Sequence, residues 1–132
     1  MNMTHPSGKL NVSDVKVFVP ALNYDQSLKF YTLLGWQLRW QSDNGELAEL
    51  ELADCRFYLQ NYYVKDWANN FMFHVTVTDA QAWYEHVRSI LEAENFDHAR
   101  LKPPEKTDYG ALVTYVWDPS GVLIHFAEFL NE

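Results

Sequence analysis

Two stretches of the chain read alike: VKVFVPAL-NYDQ at residues 15–26 and FMFHVTV-TDAQ at residues 71–81. Each begins with an apolar run that favours a β-strand and continues into polar residues typical of a helix N-terminus. Helical hydrophobic spacing follows both, at residues 28–34 in the first copy and at 84–90 in the second. A strand, a cap and an amphipathic helix therefore occur twice, which predicts a duplicated architecture.

Shorter strand-like runs follow both predicted helices. Ala48, Leu50 and Leu52 alternate with Glu49 and Glu51, the period of a strand with one buried face. The predicted strands are 14–19, 36–41, 48–52 and 56–60, then 71–77, 99–101, 111–117 and 122–129. Their order predicts an α+β fold built from two βαβββ modules.

The chain divides into a short tail and one domain. Residues 1–12 are rich in residues that disfavour regular structure and are predicted to form a flexible N-terminal tail. The remainder, 13–132, has the length of one compact domain. Within it, module one is predicted at 13–61 and module two at 70–130, with a short surface connection between them.

Composition and charge exclude several classes of partner. The net charge is −8, so a phosphate backbone or an anionic membrane would be repelled, whereas a cationic ligand would be attracted. No apolar run approaches the ~20 residues that span a bilayer. The single cysteine, Cys55, excludes an internal disulfide and predicts a cytoplasmic location. We therefore expect neither a nucleic-acid nor a membrane partner.

Aromatic residues make up 16% of the chain. This is more aromatic surface than a core of this size requires, and surplus aromatic side chains often line pockets or interfaces. A bulky core is the alternative explanation for most of them.

Three short motifs resemble those of the vicinal oxygen chelate superfamily, which includes glyoxalase I, extradiol dioxygenases, fosfomycin-resistance enzymes and bleomycin-resistance proteins. The motifs are Ser27–Tyr31 with Leu34-Gly35-Trp36, Val77-Thr78-Asp79 before Trp83-Tyr84, and Asp118-Pro119-Ser120-Gly121 leading into Val122–His125. Together they span most of the chain, in the family's order. Leu59-Gln60 and Ala82–Tyr84 make the bleomycin-resistance-like branch the most similar.

The resemblance implies paired half-barrels around a cavity, with metal ligands at four strand positions in the enzymes. In this chain those positions fall on Lys16, Met72, near Tyr58 and on His125. Only His125 is a suitable ligand for a divalent metal, because a protonated lysine repels cations and a thioether is too soft for a hard ion. We therefore predict no catalytic metal, no cofactor and no catalytic residue.

A shift in register leaves an alternative open. His74 shares a strand face with Met72, so a slip of two residues would place it beside His125. Two histidines and a carboxylate would suit a metal-dependent lyase, isomerase or dioxygenase. Glu49 and Glu51 lie opposite the apolar residues of their strand, however, and Glu128 faces away from His125. We favour the interpretation that His74 and His125 face inward and are hydrogen-bonded inside a cavity, and that they do not bind a metal.

The remaining candidates predict a binding site. Lys16 either points inward, where it would bind a carboxylate or an aromatic ring, or serves as an outward edge charge. Aromatic plates with an amide and a hydroxyl would hold a flat ligand by stacking and directed hydrogen bonds. Packing is the alternative role, above all for Tyr115. The predicted ligand-binding residues are Lys16, Tyr58, Gln60, His74, Tyr115, Trp117 and His125.

These expectations favour a binding protein over an enzyme. The predicted function is sequestration of a small, flat or cationic molecule, as in bleomycin-resistance proteins, and the resemblance implies a homodimer with ligand at the interface. A native metabolite or a partner protein is a further possibility, since fold does not determine function.

Overall fold

The computed structural model describes residues 8–130. Most of the predicted tail, residues 1–7, lies outside the described residues. The rest of it includes a single 3-10 turn at Gly8–Leu10. The strands are β1 (Phe18–Pro20), β2 (Gln37–Gln41), β3 (Leu47–Leu52), β4 (Cys55–Gln60), β5 (Met72–Thr76), β6 (Arg100–Lys106), β7 (Ala111–Trp117) and β8 (Leu123–Phe129). The α-helices are α1 (Tyr24–Leu34), α2 (Lys65–Asn70) and α3 (Ala80–Ala93).

The strands form two four-stranded sheets of the same design. The first sheet has the order β1-β4-β3-β2 and the second the order β5-β8-β7-β6. In each sheet the first and fourth strands of the module are parallel and the remaining pairs are antiparallel. This is the predicted α+β fold of two βαβββ modules. Neither sheet closes on itself, so each half-barrel remains open among the residues described.

Both long helices begin at the polar residues that the sequence predicts as helix N-termini. The Asn23 side chain accepts a hydrogen bond from the Gln26 backbone at the start of α1. Asp79 caps α3 in the same way by accepting from Ala82. Gly35 ends α1 with a φ of 131°, a backbone conformation that glycine adopts without steric cost.

Three elements differ from the sequence prediction. Strand β1 begins at Phe18 rather than at residue 14, because it pairs with β4 over three residues only. The connection between the modules contains the short helix α2, whose Ala68 is fully buried. Strand β6 extends through Pro103 and Pro104, which is possible because it is an edge strand with a register shift at that point.

One hydrophobic core joins the two modules. The Phe57 and Phe73 rings, one from each module, lie with centroids 5.2 Å apart. Tyr31 of α1 contacts both rings and is fully buried. Helix α1 also packs against α3 across the module boundary. The relative placement of the two sheets is therefore fixed by aromatic packing.

The turn between β7 and β8 is organised by a buried carboxylate. Asp118 Oδ1 accepts hydrogen bonds from the backbone N–H groups of Ser120 (2.7 Å) and Val122 (3.0 Å). Its Oδ2 accepts from the Tyr31 hydroxyl at 2.6 Å. Asp118 therefore organises this turn and also links the two modules.

The helices of the described chain are short. The longest, α3, has 14 residues, and none is long and apolar enough to cross a membrane.

Candidate ligand-binding faces

Each sheet packs one side against the helices and leaves the other side open. In β4, Phe57 and Leu59 are buried in the core, whereas Tyr58 and Gln60 alternate with them and are partly exposed. In β8, Ile124 and Phe126 are buried on the helix side, and His125 lies on the other. We call these two surfaces the first and second open face.

The first open face is defined by a row of four cross-strand neighbours. Phe18 pairs with Tyr58, Tyr58 with Glu49, and Glu49 with Trp40. The Phe18 and Tyr58 rings lie 5.3 Å apart between centroids. Because facing residues in adjacent strands project to the same side of a sheet, these four side chains share one surface. The row therefore combines aromatic rings with one carboxylate.

Charged side chains surround this row in ion pairs. Arg56 Nη1 lies 3.0 Å from Glu49 Oε2, and Arg56 Nε lies 3.4 Å from Glu51 Oε2. The ammonium group of Lys16 pairs with Asp14 and lies 5.4 Å from the centroid of the Tyr58 ring. Lys16 is thus near Tyr58 and already has an anionic partner.

Gln60 occupies the same face at the far end of β4. It lines a pocket of about 400 Å³ together with Phe18 and Tyr62. The structure thus groups three predicted residues on the first open face: Lys16, Tyr58 and Gln60.

The second open face carries the other four predicted residues. His74 pairs directly with His125, and His125 with Tyr115. The two imidazole rings are stacked with centroids 6.0 Å apart, and the Tyr115 ring meets His125 edge-on at 5.1 Å. Trp117 lies two residues along β7 on the same side, and Phe129 contacts His74 at 5.9 Å. The result is an almost continuous aromatic surface.

His125 contradicts the expectation that it is hydrogen-bonded. Both ring nitrogens are shielded from solvent, yet neither has a hydrogen-bond partner among the described residues. Burial lowers the pKa of His125 below its ordinary value, and the charge of protonated His74 lowers this pKa further. The imidazole is therefore neutral near neutral pH and offers one unused donor and one unused acceptor.

The strand register shows which residue of β5 lies beside His125. His74, and not Met72, is its direct neighbour, because Met72 pairs with Leu123. The shifted register that the sequence left open is therefore the one observed. In the first sheet the equivalent pair is Phe18 and Tyr58, so the first-strand position falls on Phe18 and not on Lys16.

These residues do not fit a metal ion within one chain. The two imidazole rings are stacked rather than pointed at a common centre, and no group of three His, Cys, Asp or Glu side chains in residues 8–130 is arranged to hold a metal. Glu128, as expected, faces the helices, where it accepts from the Ala80 backbone. We derive no catalytic step through a metal.

The two open faces are separate surfaces, each on its own sheet. A crevice of about 340 Å³ lies between the modules and is lined by His74, Phe73, Phe57 and Arg56. His74 is the one predicted site residue in this lining, and neither Tyr58 nor His125 takes part in it. Within one chain, the seven predicted residues therefore form two groups instead of a common cavity.

Sequence reasoning missed several residues of the faces. Glu49 was assigned to the side away from the apolar residues of β3, which is correct, but that side is the first open face. Alternation along β4 would have placed Glu49 beside Tyr58 once the pairing of β3 with β4 was known. Alternation in the sequence did not place Trp40 on this face, because a bulge in β2 changes the side of the sheet to which its residues point.

The arrangement defines a class of fold. Paired βαβββ modules, each with parallel first and fourth strands and an open face opposite its helices, are the architecture that the sequence's resemblance to the vicinal oxygen chelate superfamily implies. The chain has this fold, in agreement with the motifs in its sequence.

Several solved structures share this fold. A bleomycin-binding protein complexed with bleomycin matches with a TM-score of 0.70 and 18% identity, covering 92% of this chain and 100% of the other. TnmS3, an antibiotic binding protein from Streptomyces sp. CB03234, gives 0.68 and 16%, covering 90% and 98%. Lactoylglutathione lyase from Agrobacterium tumefaciens gives 0.61 and 15%, covering 89% and 95%. At these identities the likeness is one of fold.

No protein-family model matches the sequence, and no curated protein matches it at a significant level.

Proposed function

We propose that the chain is a small-molecule-binding protein that sequesters a flat ligand without a catalytic metal. The observation that carries the proposal is the ring surface of the second open face, where His74, His125 and Tyr115 lie in one cross-strand row with Trp117 beside them. Flat rings bind such surfaces by stacking and by burial of apolar area. The bleomycin-binding and antibiotic-binding proteins that share the fold support this reading.

His125 supplies the directed part of the proposed recognition. Its two shielded nitrogens lack protein partners, and a buried polar atom without a partner is costly. A ligand that both accepts and donates a hydrogen bond at this point would satisfy them. Such a group would orient the ligand on the ring surface, whereas stacking alone would leave it free to slide.

Two features of the protein favour opposite charges on the ligand. The net charge of −8 attracts cationic ligands from a distance. At the rim of the second open face, however, Arg100 lies over Trp117 and Lys102 over Tyr115. A flat ligand with an anionic edge would meet these two side chains. The binding panel therefore includes cationic, neutral and anionic aromatic compounds, antibiotics and metabolites alike.

We further propose that two copies pair so that the first open face of one covers the second open face of the other. Large apolar side chains are exposed on both faces: Phe18 is 45% exposed, Trp40 49%, Met72 57% and Phe129 45%. Exposed apolar surface of this kind is characteristic of an interface. Pairing would bring Lys16, Tyr58 and Gln60 of one copy opposite the ring surface of the other and complete the predicted site. The cytoplasmic location stays a prediction.

Titration of the protein with bleomycin and with the aromatic panel tests the binding proposal. Tryptophan fluorescence should change saturably at micromolar ligand, because Trp117 lies on the binding face. Trp117→Phe should reduce the change, and His125→Ala should weaken binding by about tenfold, the effect of losing a hydrogen-bonded contact. Trp83→Phe is the matched control, since Trp83 lies on α3 and stacks on Phe126 at the helix side of the second sheet. Fluorescence that stays constant with every compound, or an equal effect of the two tryptophan variants, would refute the proposal.

A metal-dependent lyase, isomerase or dioxygenase is the second candidate. The direct pairing of His74 with His125 favours it, as does the fold shared with lactoylglutathione lyase. In a paired arrangement the missing carboxylate would have to come from the other copy, and Glu49 is the acid of the first open face that lies beside Tyr58. Elemental analysis decides the matter: a stoichiometric metal that is lost in His125→Ala and in Glu49→Gln would replace the first proposal.

A further inference from the structure

A further pocket, with several polar side chains, lies where module one meets the β7–β8 turn. It has a volume of about 410 Å³ and receives side chains from the connection between the modules, from the start of β6 and from the turn itself. Its polar lining consists of Lys65, Asn69, His98, Arg100 and Ser120. No aspartate or glutamate lines it, although the chain has 18 acidic residues.

The basic side chains of this pocket are unpaired. Lys65, His98 and Arg100 form neither a salt bridge nor a side-chain hydrogen bond with any other residue in the described part of the chain. Two acids are their neighbours in sequence, Asp66 and Asp97. Asp97 instead accepts a hydrogen bond from the Gln26 side chain at 2.9 Å.

Arg100 differs from the three other arginines in its ion pairing. The chain has four arginines, and Arg39, Arg56 and Arg88 each form an ion pair with at least one glutamate. Acidic residues outnumber Lys and Arg by 18 to 10, so carboxylate partners are abundant. Among the four arginines, Arg100 is therefore distinguished in the described chain by a guanidinium that has no carboxylate partner, and it lies at a pocket without an acidic side chain.

Arg100 is also held in place. Its Cζ lies 4.2 Å from the centroid of the Trp117 ring, the distance of a cation–π contact. This contact restricts the guanidinium, whose N–H donors form a planar fork that suits the paired oxygens of a carboxylate or phosphate. Little side-chain entropy is then lost when an anion binds.

Asn69 and the turn form the opposite wall. A Cβ at Gly121 would lie 3.1 Å from Asn69 Oδ1, so the absence of a side chain there allows the amide to pack against the turn. Ser120 is 4% exposed, and its hydroxyl accepts from the Leu22 backbone at 2.8 Å. This part of the lining thus combines Ser120, held by its contact with the Leu22 backbone, with the Asn69 amide beside Gly121.

We propose that this pocket binds a small oxyanion, the phosphate or carboxylate group of a metabolite, through Arg100, Lys65 and His98. Arg100 borders both this pocket and the second open face through its contact with Trp117, but the proposal does not require a ligand on either open face.

Amide chemical shifts measured by NMR test the proposal directly. Inorganic phosphate and acetate are titrated separately against the protein, with sodium chloride at matched ionic strength as the control for screening. Saturable shifts are expected at Asn69, His98, Arg100 and Gly121. The stronger of the two anions then identifies the oxyanion class.

Substitution of the basic residues provides the second part of the test. Arg100→Gln should weaken binding of the preferred anion by at least about tenfold, and Lys65→Gln should weaken it by a smaller factor. Lys106→Gln is the matched control: Lys106 is an exposed lysine at the end of β6 that lies outside the pocket. Shifts that rise linearly, that chloride reproduces, or that survive Arg100→Gln would overturn the proposal.

Discussion

At the residue scale, the least ordinary group in the molecule is the carboxyl group of Asp118. It is fully buried and forms no salt bridge with any residue in the range 8–130, and it accepts hydrogen bonds from the Tyr31 hydroxyl and from two backbone N–H groups. Burial raises the pKa of Asp118 to about 6, against the opposing effect of those hydrogen bonds. The protonated form is therefore favoured by folding.

Asp118 should make the stability of the protein depend on pH in a defined direction. Its pKa is about 6 in the folded state and near 3.8 when unfolded, so between these values the folded state binds more protons. The free energy of unfolding should then decrease as pH rises from about 4 to about 6, by up to about 3 kcal/mol. Urea unfolding at a series of pH values measures this.

The Asp118→Asn variant isolates the contribution. Asparagine can still accept from the Ser120 and Val122 backbone, but it does not titrate. The difference in unfolding free energy between wild type and variant should therefore shift in favour of wild type as the pH is lowered from 6 to 4. A difference that is constant with pH would show that Asp118 titrates normally in the folded protein.

His125 should report the neighbouring charge of His74. Because protonated His74 contributes to the lowered pKa of His125, His74→Gln should raise this pKa, though not to its ordinary value, since burial remains the larger cause. NMR titration of the imidazole carbon-bound protons measures both states. His86→Gln, a substitution on α3, should leave the His125 titration unchanged. A His125 pKa above the usual value in wild type would contradict the geometry.

At the element scale, helix α3 is anchored by two carboxylates at its N-terminus. Asp79 accepts from the Ala82 backbone at 2.9 Å, and Glu128 of β8 accepts from the Ala80 backbone at 3.0 Å. The Ala80 carbonyl in turn accepts from the Thr114 hydroxyl at 2.7 Å. Negative groups at this end also interact favourably with the helix dipole. The first turn of α3 is therefore fixed to its own sheet.

Removal of either carboxylate should destabilise the protein measurably. Asp79→Ala should lower the free energy of unfolding by about 1 kcal/mol, the usual effect of losing an N-cap. Glu128→Ala leaves the partly buried Ala80 N–H without its partner and should cost about 1–3 kcal/mol. Chemical denaturation gives both values. Ser89→Ala, on the exposed side of α3, should change stability by less than about 0.5 kcal/mol. Equal effects of all three substitutions would refute the anchoring role.

At the scale of the whole molecule, the open faces are the unusual feature. Two sheets each cover one side with helices and leave aromatic rings on the other, and the two rows of rings belong to separate sheets. A surface of this kind is stabilised when it is covered, because burial of apolar area contributes about 25 cal/mol per Å². This consideration supports the proposed pairing of two copies.

Introduction of a charge on the first open face should dissociate the proposed dimer. Wild type should sediment with twice the chain mass of 15.5 kDa, whereas Phe18→Glu should shift the equilibrium toward a monomer, because it places an unpaired charge in the interface. Leu33→Glu is the matched control, since Leu33 is 38% exposed on α1 rather than on a sheet face. Analytical ultracentrifugation over a range of concentrations gives the masses. A wild-type monomer at every concentration would contradict the pairing.

The sequence by itself determined the duplicated strand–cap–helix order and the polar segments, at residues 23–26 and 78–81, where the two long helices begin. These features depend on residues a few positions apart, where capping and hydrophobic period act directly. It also placed Tyr115 and Trp117 on one face of a strand, because alternation is a local property.

Only the tertiary structure decided that His74 lies beside His125, that Asp118 is buried against Tyr31, and that Glu49 shares a face with Tyr58. Each of these relations joins strands or helices through register and packing, which local patterns do not specify. The separation of the two open faces has the same origin: the shared aromatic core around Tyr31 sets how the sheets lie. The alternation of residues within each strand can therefore be read from the chain. The grouping of strands into each face, and the relation between the two faces, are properties of the fold.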